Sequence, residues 1–187
     1  MPNIRKNYKI KVNHNKGIIF WVTGLPGSGK TTIAKGLKKE ISKKYGKTIV
    51  ISGDDIRNIF DLKKYSFLER KKILGKYAKF CRFIANQKIN IILAVVGLIN
   101  KSQEWNQKNL HNYVEIYIKC NLKDIIKKGK KKLYKKKNKK SLYSFDIKSE
   151  FPKRPKILIH NNFKRNILEM TNSVLSKINK INELKGF

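Results

Sequence analysis

The sequence predicts an α/β fold, a five-stranded parallel sheet with helices on both faces. Three observations predict it. Short apolar runs alternate with longer segments whose apolar residues recur at helical spacing, the order produced when each strand is followed by a crossover helix. One of those runs, Asn90–Val96 (NIILAVV), is continuously apolar, as a strand covered on both faces must be. The turn after the first run is rich in glycine and leads directly into a helical segment.

Taken in order, residues 1–16 are polar and basic and read as a mostly loose arm. The first strand covers about Gly17–Thr23 (GIIFWVT), and the first helix about Thr31–Tyr45, with Ile33, Ala34, Leu37 and Ile41 as its apolar stripe. A second strand near Lys47–Ile51 (KTIVI) runs into Ser52-Gly53-Asp54-Asp55-Ile56-Arg57. Over Phe67–Gln87, Ile73, Leu74, Tyr77, Ala78, Cys81, Ile84 and Ala85 fall at helical spacing. After the third strand, Asn90–Val96, a short helix is expected over Gln103–Leu110 and a fourth strand over Tyr113–Lys119 (YVEIYIK). Lys156–His160 (KILIH) is the fifth strand. The last helix, Lys164–Leu184, carries Ile167, Leu168, Thr171, Val174, Leu175, Ile178, Ile181 and Leu184. Packing of that stripe on the sheet is expected, with a homodimer seam as the alternative.

The glycine-rich turn reads Gly24-Leu25-Pro26-Gly27-Ser28-Gly29-Lys30-Thr31-Thr32, which fits the phosphate-binding loop pattern and, between strand and helix, a P-loop nucleoside triphosphate hydrolase fold over residues 17–187. Glycines let consecutive amides curl inward toward phosphate oxygens, and the helix start adds partial positive charge. In such a loop Lys30 reaches the β- and γ-phosphates of ATP and the Thr31 hydroxyl ligates Mg²⁺. The alternative is a strand–helix turn that binds nothing.

The formal net charge of +33 favours anionic ligands and salt-sensitive, non-specific binding of nucleic acid. Yet 39 of the 45 basic residues are lysines, and Ile and Asn are abundant too, a composition that an A+T-rich genome also produces. A basic P-loop protein that binds RNA or DNA is therefore a reading of a different class, although no aromatic-interleaved basic motif supports it. No apolar run is long enough to span a bilayer and no secretion signal is evident, so a cytoplasmic protein is expected. Cys81 and Cys120 lack metal-ligand spacing and read as buried reduced thiols. Between Asn121 and Pro155 lies a lysine run (KKGKKKLYKKKNKK, 127–140). It reads either as a basic lid that closes over phosphates or as a solvated charge run.

Phosphoryl transfer needs a group that takes the acceptor's proton and groups that hold phosphate and metal. The third strand ends Val95-Val96-Gly97 without an acid, so the usual strand-end carboxylate is absent there. Asp54, on the same sheet edge as the phosphate loop, is the candidate base or metal-linked carboxylate. A helix-cap role for Ser52, Asp54 or Asp55 is the alternative. Arg57, one helical turn on, and Arg70 are candidate clamps for an anionic acceptor, or surface ion-pair partners.

Over about Lys16 to Asn161 the chain resembles the adenylylsulfate kinases, which make phosphoadenylylsulfate from ATP and adenylylsulfate. The phosphate loop matches GLPGSGKTT. The family's Asp-Gly-Asp-x-x-Arg element resembles residues 52–57, its Phe-Ser-x-x-Asp-Arg element residues 65–70, and its Glu-Val-Tyr-Val strand residues 115–118. Its Lys-Gly-Leu-Tyr-Lys-Lys lid element resembles residues 131–136, and its Asp-x-Pro-Tyr-Glu-x-Pro stretch the region from Asp146 onward. By that resemblance Asp54 serves the acceptor 3′-hydroxyl, Arg57 and Arg70 hold the acceptor's phosphate-sulfate group, Tyr65 stacks on its base, and Lys131 belongs to the lid.

The acceptor side departs from the pattern. Ser52 replaces the first Asp, the Ile-Ser-Pro-Tyr-Arg loop becomes Val96-Gly97-Leu98-Ile99-Asn100, and Ile73 stands for an Asn. Arg-Asp before the lid becomes Lys128-Gly129, and Phe-Thr-Gly becomes Leu142-Tyr143-Ser144. The substituted loop and the residues after it resemble a branch from bacterial capsule pathways that phosphorylates cytidine diphosphoramidate. The expected activity is transfer of the ATP γ-phosphate to the ribose 3′-hydroxyl of a nucleotide-like acceptor: adenylylsulfate first, cytidine diphosphoramidate as the alternative. A degenerate kinase that binds ATP without turnover is a further reading.

Overall fold

Strands β1 (Ile19–Gly24), β2 (Thr48–Ser52), β3 (Asn90–Val95), β4 (Tyr113–Lys119) and β5 (Ile157–His160) pair in parallel in the order β2-β3-β1-β4-β5. They alternate with helices α1 (Lys30–Tyr45), α2 (Gly53–Ile59), α3 (Phe67–Asn86), α4 (Asn100–Asn109), α5 (Leu122–Ile125) and α6 (Ile167–Asn179). This computed structural model describes residues 8–62, 66–130 and 149–187. The expected Tyr65 and Lys131 contacts, and most of the lysine run, lie outside the described residues.

The two-residue period of β1 explains the layering. Ile18, Phe20 and Val22 face one side, where Ile33, Leu37 and Ile41 of α1 and Val174 and Ile178 of α6 cover them. Ile19 and Trp21 face the other, against Tyr77, Ala78 and Cys81 of α3. Every residue of β1 and β3 is buried, the condition that produced their unbroken apolar runs. Cys81 and Cys120 are both buried and in no disulfide, as expected of reduced thiols. No helix among the described residues is long and apolar enough to cross a membrane.

Three expectations are corrected. The segment from Tyr8 to Lys16 is anchored rather than loose. The Tyr8 hydroxyl donates to the Tyr113 carbonyl (3.1 Å) and accepts from the Glu115 amide (2.9 Å), and Ile10 is buried in the core. Asn112 ties down the rest, accepting from the Asn13 amide and donating to the Asn13 and Lys16 carbonyls. Second, α4 starts at Asn100, earlier than its apolar spacing suggested. Third, the final stripe is not one helix. A capping box of Asn166 and Glu169 starts α6 at Ile167, leaving Ile167 and Leu168 exposed. The helix stops at Asn179, and Leu184 reaches the core through a short 3₁₀ turn, Asn182–Leu184.

One buried acid makes stability depend on pH. Glu115 of β4 is fully buried and accepts hydrogen bonds from Gln107 Nε2 (3.1 Å) and the Tyr113 hydroxyl (3.4 Å). Burial pushes its carboxyl from the ordinary 4.5 up to about 7, and the two hydrogen bonds offset only part of that. The native state thus retains a proton that the unfolded chain releases. This contribution to stability is fully present below about 4.5 and is lost as pH rises to about 7. Glu115→Gln is expected to flatten that dependence, read as a smaller difference in urea midpoint between about pH 5 and about pH 8.

Candidate active site

From β1 the chain crosses to β2 and β3 on one side and later to β4 and β5 on the other, so the carboxyl end of β1 is a topological switch point. The phosphate loop curls there. Gly27 and Gly29 adopt left-handed backbone angles (φ 74° and 91°), which glycine takes without a Cβ penalty. At Gly24 a Cβ would lie 2.5 Å from the Ile118 carbonyl oxygen of the neighbouring strand, so no larger residue fits. The Ser28 amide closes a turn onto the Leu25 carbonyl (3.1 Å), and Gly29 stands at the N-cap of α1. Helix α1 has no acid in its first turn and no side-chain cap, so its leading amides and dipole are available to an anion.

Lys30, the first residue of α1, is buried, and its ammonium donates to the Leu25 carbonyl at 2.7 Å. Burial lowers its pKa to about 8, while the negative charge of nearby Asp54 acts in the opposite direction. Lys30 therefore rests against its own loop as a poorly solvated cation, poised for an anionic partner.

The neighbouring strand tip supplies the acid. Ser52 is the N-cap of α2 and forms a capping box with Asp55: the Asp55 amide donates to Ser52 Oγ (3.2 Å) and the Ser52 amide donates to Asp55 Oδ2 (2.7 Å). The Ser52 hydroxyl also donates to that carboxylate (2.8 Å), and these bonds lower the Asp55 pKa. Asp55 is thus committed to the cap, and Asp54 beside it is not part of the box. Buried Tyr77 donates to the Gly53 carbonyl (2.9 Å) and fixes the start of α2 from α3.

These elements enclose one cleft of about 210 Å³, lined by Pro26, Gly27, Lys30, Thr31, Gly53, Asp54, Arg57, Arg70, Ile73, Leu74, Tyr77, Ala94, Val95 and Val96. Lys30, Thr31, Asp54, Arg57 and Arg70 therefore share one cavity. Arg57 also donates to the Leu62 carbonyl (3.1 Å), and Arg70 is buried in the cleft wall. Gly24, Ser28 and Gly29 shape the loop from within. Leu25 faces an adjoining hollow beside Tyr117 and Phe151, and Thr32 is exposed and does not line the cleft.

Asn161, just beyond β5, was not among the expected site residues. Its buried Nδ2 donates to the Ser28 carbonyl (3.0 Å) and braces the phosphate loop. The available signal was a polar residue directly past a strand on the loop-bearing edge. Among the described residues no group of three or more His, Cys, Asp and Glu could hold a metal. The Thr31 hydroxyl and the Asp54 carboxylate both line the cleft and are oxygen donors of the kind that suits Mg²⁺, which takes few protein oxygens and relies on phosphates and water for the rest.

Comparisons with known proteins place the chain among relatives and folds already described. The family described as adenylylsulphate kinase matches residues 16–160. Cytidine diphosphoramidate kinase of Campylobacter jejuni subsp. jejuni serotype O:2 is 36% identical, over 83% of this chain and 92% of that protein. A probable adenylyl-sulfate kinase of Aeropyrum pernix is 33% identical, over 70% of this chain and 74% of that one. The APS kinase of Mycobacterium tuberculosis, solved in complex with AMPPNP and APS, superposes with a TM-score of 0.75 at 20% identity, over 88% of this chain and 98% of that chain. That last likeness concerns the fold.

Proposed function

The chain belongs to the adenylylsulfate kinase family, whose members are phosphotransferases with a hydroxyl acceptor, and from that premise we propose that it transfers the γ-phosphate of ATP to the ribose 3′-hydroxyl of cytidine diphosphoramidate. The observation that carries the reaction class is the single cleft shared by Lys30, Asp54, Arg57 and Arg70.

In this reading the curled amides and the α1 dipole hold the triphosphate. The Lys30 ammonium leaves the Leu25 carbonyl for the β- and γ-phosphates. Thr31 would hold Mg²⁺, which when bound would supply positive charge against that of the phosphates. Asp54 orients the 3′-hydroxyl and accepts its proton as the oxygen attacks phosphorus. Arg57 and Arg70 grip the anionic end of the acceptor. Tyr65 stacking on the acceptor base and Lys131 closing over the site remain parts of the proposal drawn from the family resemblance.

Two observations favour the cytidine compound. The Campylobacter relative matches over nearly its whole length. The loop Val96–Asn100 also lacks the serine and arginine of the adenylylsulfate pattern. Adenylylsulfate is the second reading, favoured by the family match and by the retention of Arg57 and Arg70. ATP consumption measured side by side with the two acceptors tests the choice. The expected result is a kcat/KM for cytidine diphosphoramidate at least about tenfold above that for adenylylsulfate, a transition-state difference of about 1.4 kcal/mol. The reverse order would transfer the assignment to adenylylsulfate, and turnover of neither would refute both acceptors.

A further inference from the structure

Resting on the kinase reading above, we propose that Glu150 is a positioning residue for the acceptor: from the segment before β5 it holds the β3–α4 loop, whose first residue, Val96, lines the cleft. Helix α4 begins without local help. Its N-cap is Ile99, which has no hydrogen-bonding side chain, and its first turn carries no acid. The missing acceptor comes from fifty positions away, where Glu150 Oε2 takes the Asn100 amide at 2.7 Å. A carboxylate at a helix start is favoured both by the orphan amide and by the dipole. The Glu150 amide in turn donates to the Leu98 carbonyl at 3.0 Å, so the same residue fastens the loop through backbone and side chain.

Two further groups complete the clamp. Buried Gln103 of α4 donates to the Gly97 carbonyl (2.9 Å) and reaches the Glu150 carbonyl (3.4 Å). The Gly97 amide donates to Thr23 Oγ1 (3.1 Å), and Thr23 immediately precedes the phosphate loop. The loop's side chains from Val96 to Ile99 are apolar or absent, so they offer no polar group to hold the loop themselves. Burial of Leu98 and Ile99 seats it on the core, and its polar backbone is held by these outside partners. The consequence reaches the cleft through Val96, which lines it together with Asp54, Arg70 and Ile73. A displacement of Val96 would misplace the acceptor and weaken its hold in the cleft. The phosphate loop, braced independently by Asn161 and α1, would keep its grip on ATP.

The experiment compares Glu150→Ala and Glu150→Gln with the wild type by amide hydrogen exchange over residues 97–103 and by steady-state kinetics. For Glu150→Ala, exchange of these amides should be faster by about tenfold or more. The acceptor KM should rise about tenfold, with the ATP KM within about twofold. Glu150→Gln keeps a carbonyl oxygen for the Asn100 amide and should recover most of both. Unchanged exchange in Glu150→Ala overturns the clamp. Faster exchange with an unmoved acceptor KM, or equal rises in both KM values, overturns the link to the acceptor. Should the wild type turn over neither acceptor, the assignment under Proposed function fails, while the exchange arm still decides whether Glu150 holds the loop.

Discussion

Lys30→Ala is expected to abolish phosphoryl transfer, lowering kcat by about a thousandfold or more, which is about 4 kcal/mol of transition-state stabilisation. The lysine is the single cation at the start of α1 that lines the cleft, and alanine restores neither its charge nor its reach. The fold should survive. Lys30 gives up solvation in the folded state, where burial lowers its pKa to about 8, and among the described residues its ammonium donates to a loop carbonyl. Removing a charge that is costly to bury offsets the packing lost with its methylenes. The melting temperature should therefore move by less than about 4 °C. Single-turnover kinetics and a thermal melt on the same preparation check both parts. A variant with normal turnover would remove the phosphate-loop assignment, and one that unfolds would show Lys30 to be a structural residue.

What could be read from the chain and what could not divide along sequence separation. The phosphate loop was legible because its requirements are local: Gly27 and Gly29 at positive φ, then Lys30 one residue into a helix. The strands were legible because a sheet covered on both faces demands unbroken apolar runs, and β1 and β3 are buried at every position. The meeting of Asp54, Arg57 and Arg70 was inferable from topology, since all three lie where α2 and α3 face the loop-bearing edge. The remaining features depend on partners far away in sequence. Nothing near Asn100 marks a helix start, because its cap is Glu150. Tyr8 and Ile10 sit among lysines, yet the partners that anchor them are Tyr113, Glu115 and the core. Asn161 reads as an ordinary post-strand asparagine until Ser28 is brought beside it. The stripe of α6 was read too long because apolar spacing does not register where a helix stops: Ile181 and Leu184 remain in the core after the backbone has left α-helical geometry.

Asp54→Asn should leave ATP binding nearly intact while lowering the chemical step by about a hundred- to ten-thousandfold, the usual contribution of a positioned general base. The substitution keeps the size of the side chain and its place in the first turn of α2 but removes its capacity to accept the proton. The local helix is protected because its cap is built from Ser52 and Asp55. Asp55→Ala is the contrasting control. It removes half of the capping box and should cost about 1 kcal/mol of stability with a much smaller effect on chemistry. One coupling decides the conditions. The Asp54 charge holds the Lys30 pKa up against burial, so Asp54→Asn lowers it further below about 8. In alkaline buffer the variant would then lose the Lys30 proton and bind ATP weakly for a reason unrelated to proton abstraction. Comparison at about pH 6.5 favours the charged lysine in both proteins relative to alkaline buffer, and so brings out the role of the carboxylate. A loss of kcat with an unchanged ATP KM at that pH supports Asp54 as the base. Equal losses in both would reassign it to holding nucleotide, and no loss would move the proton acceptor elsewhere in the cleft.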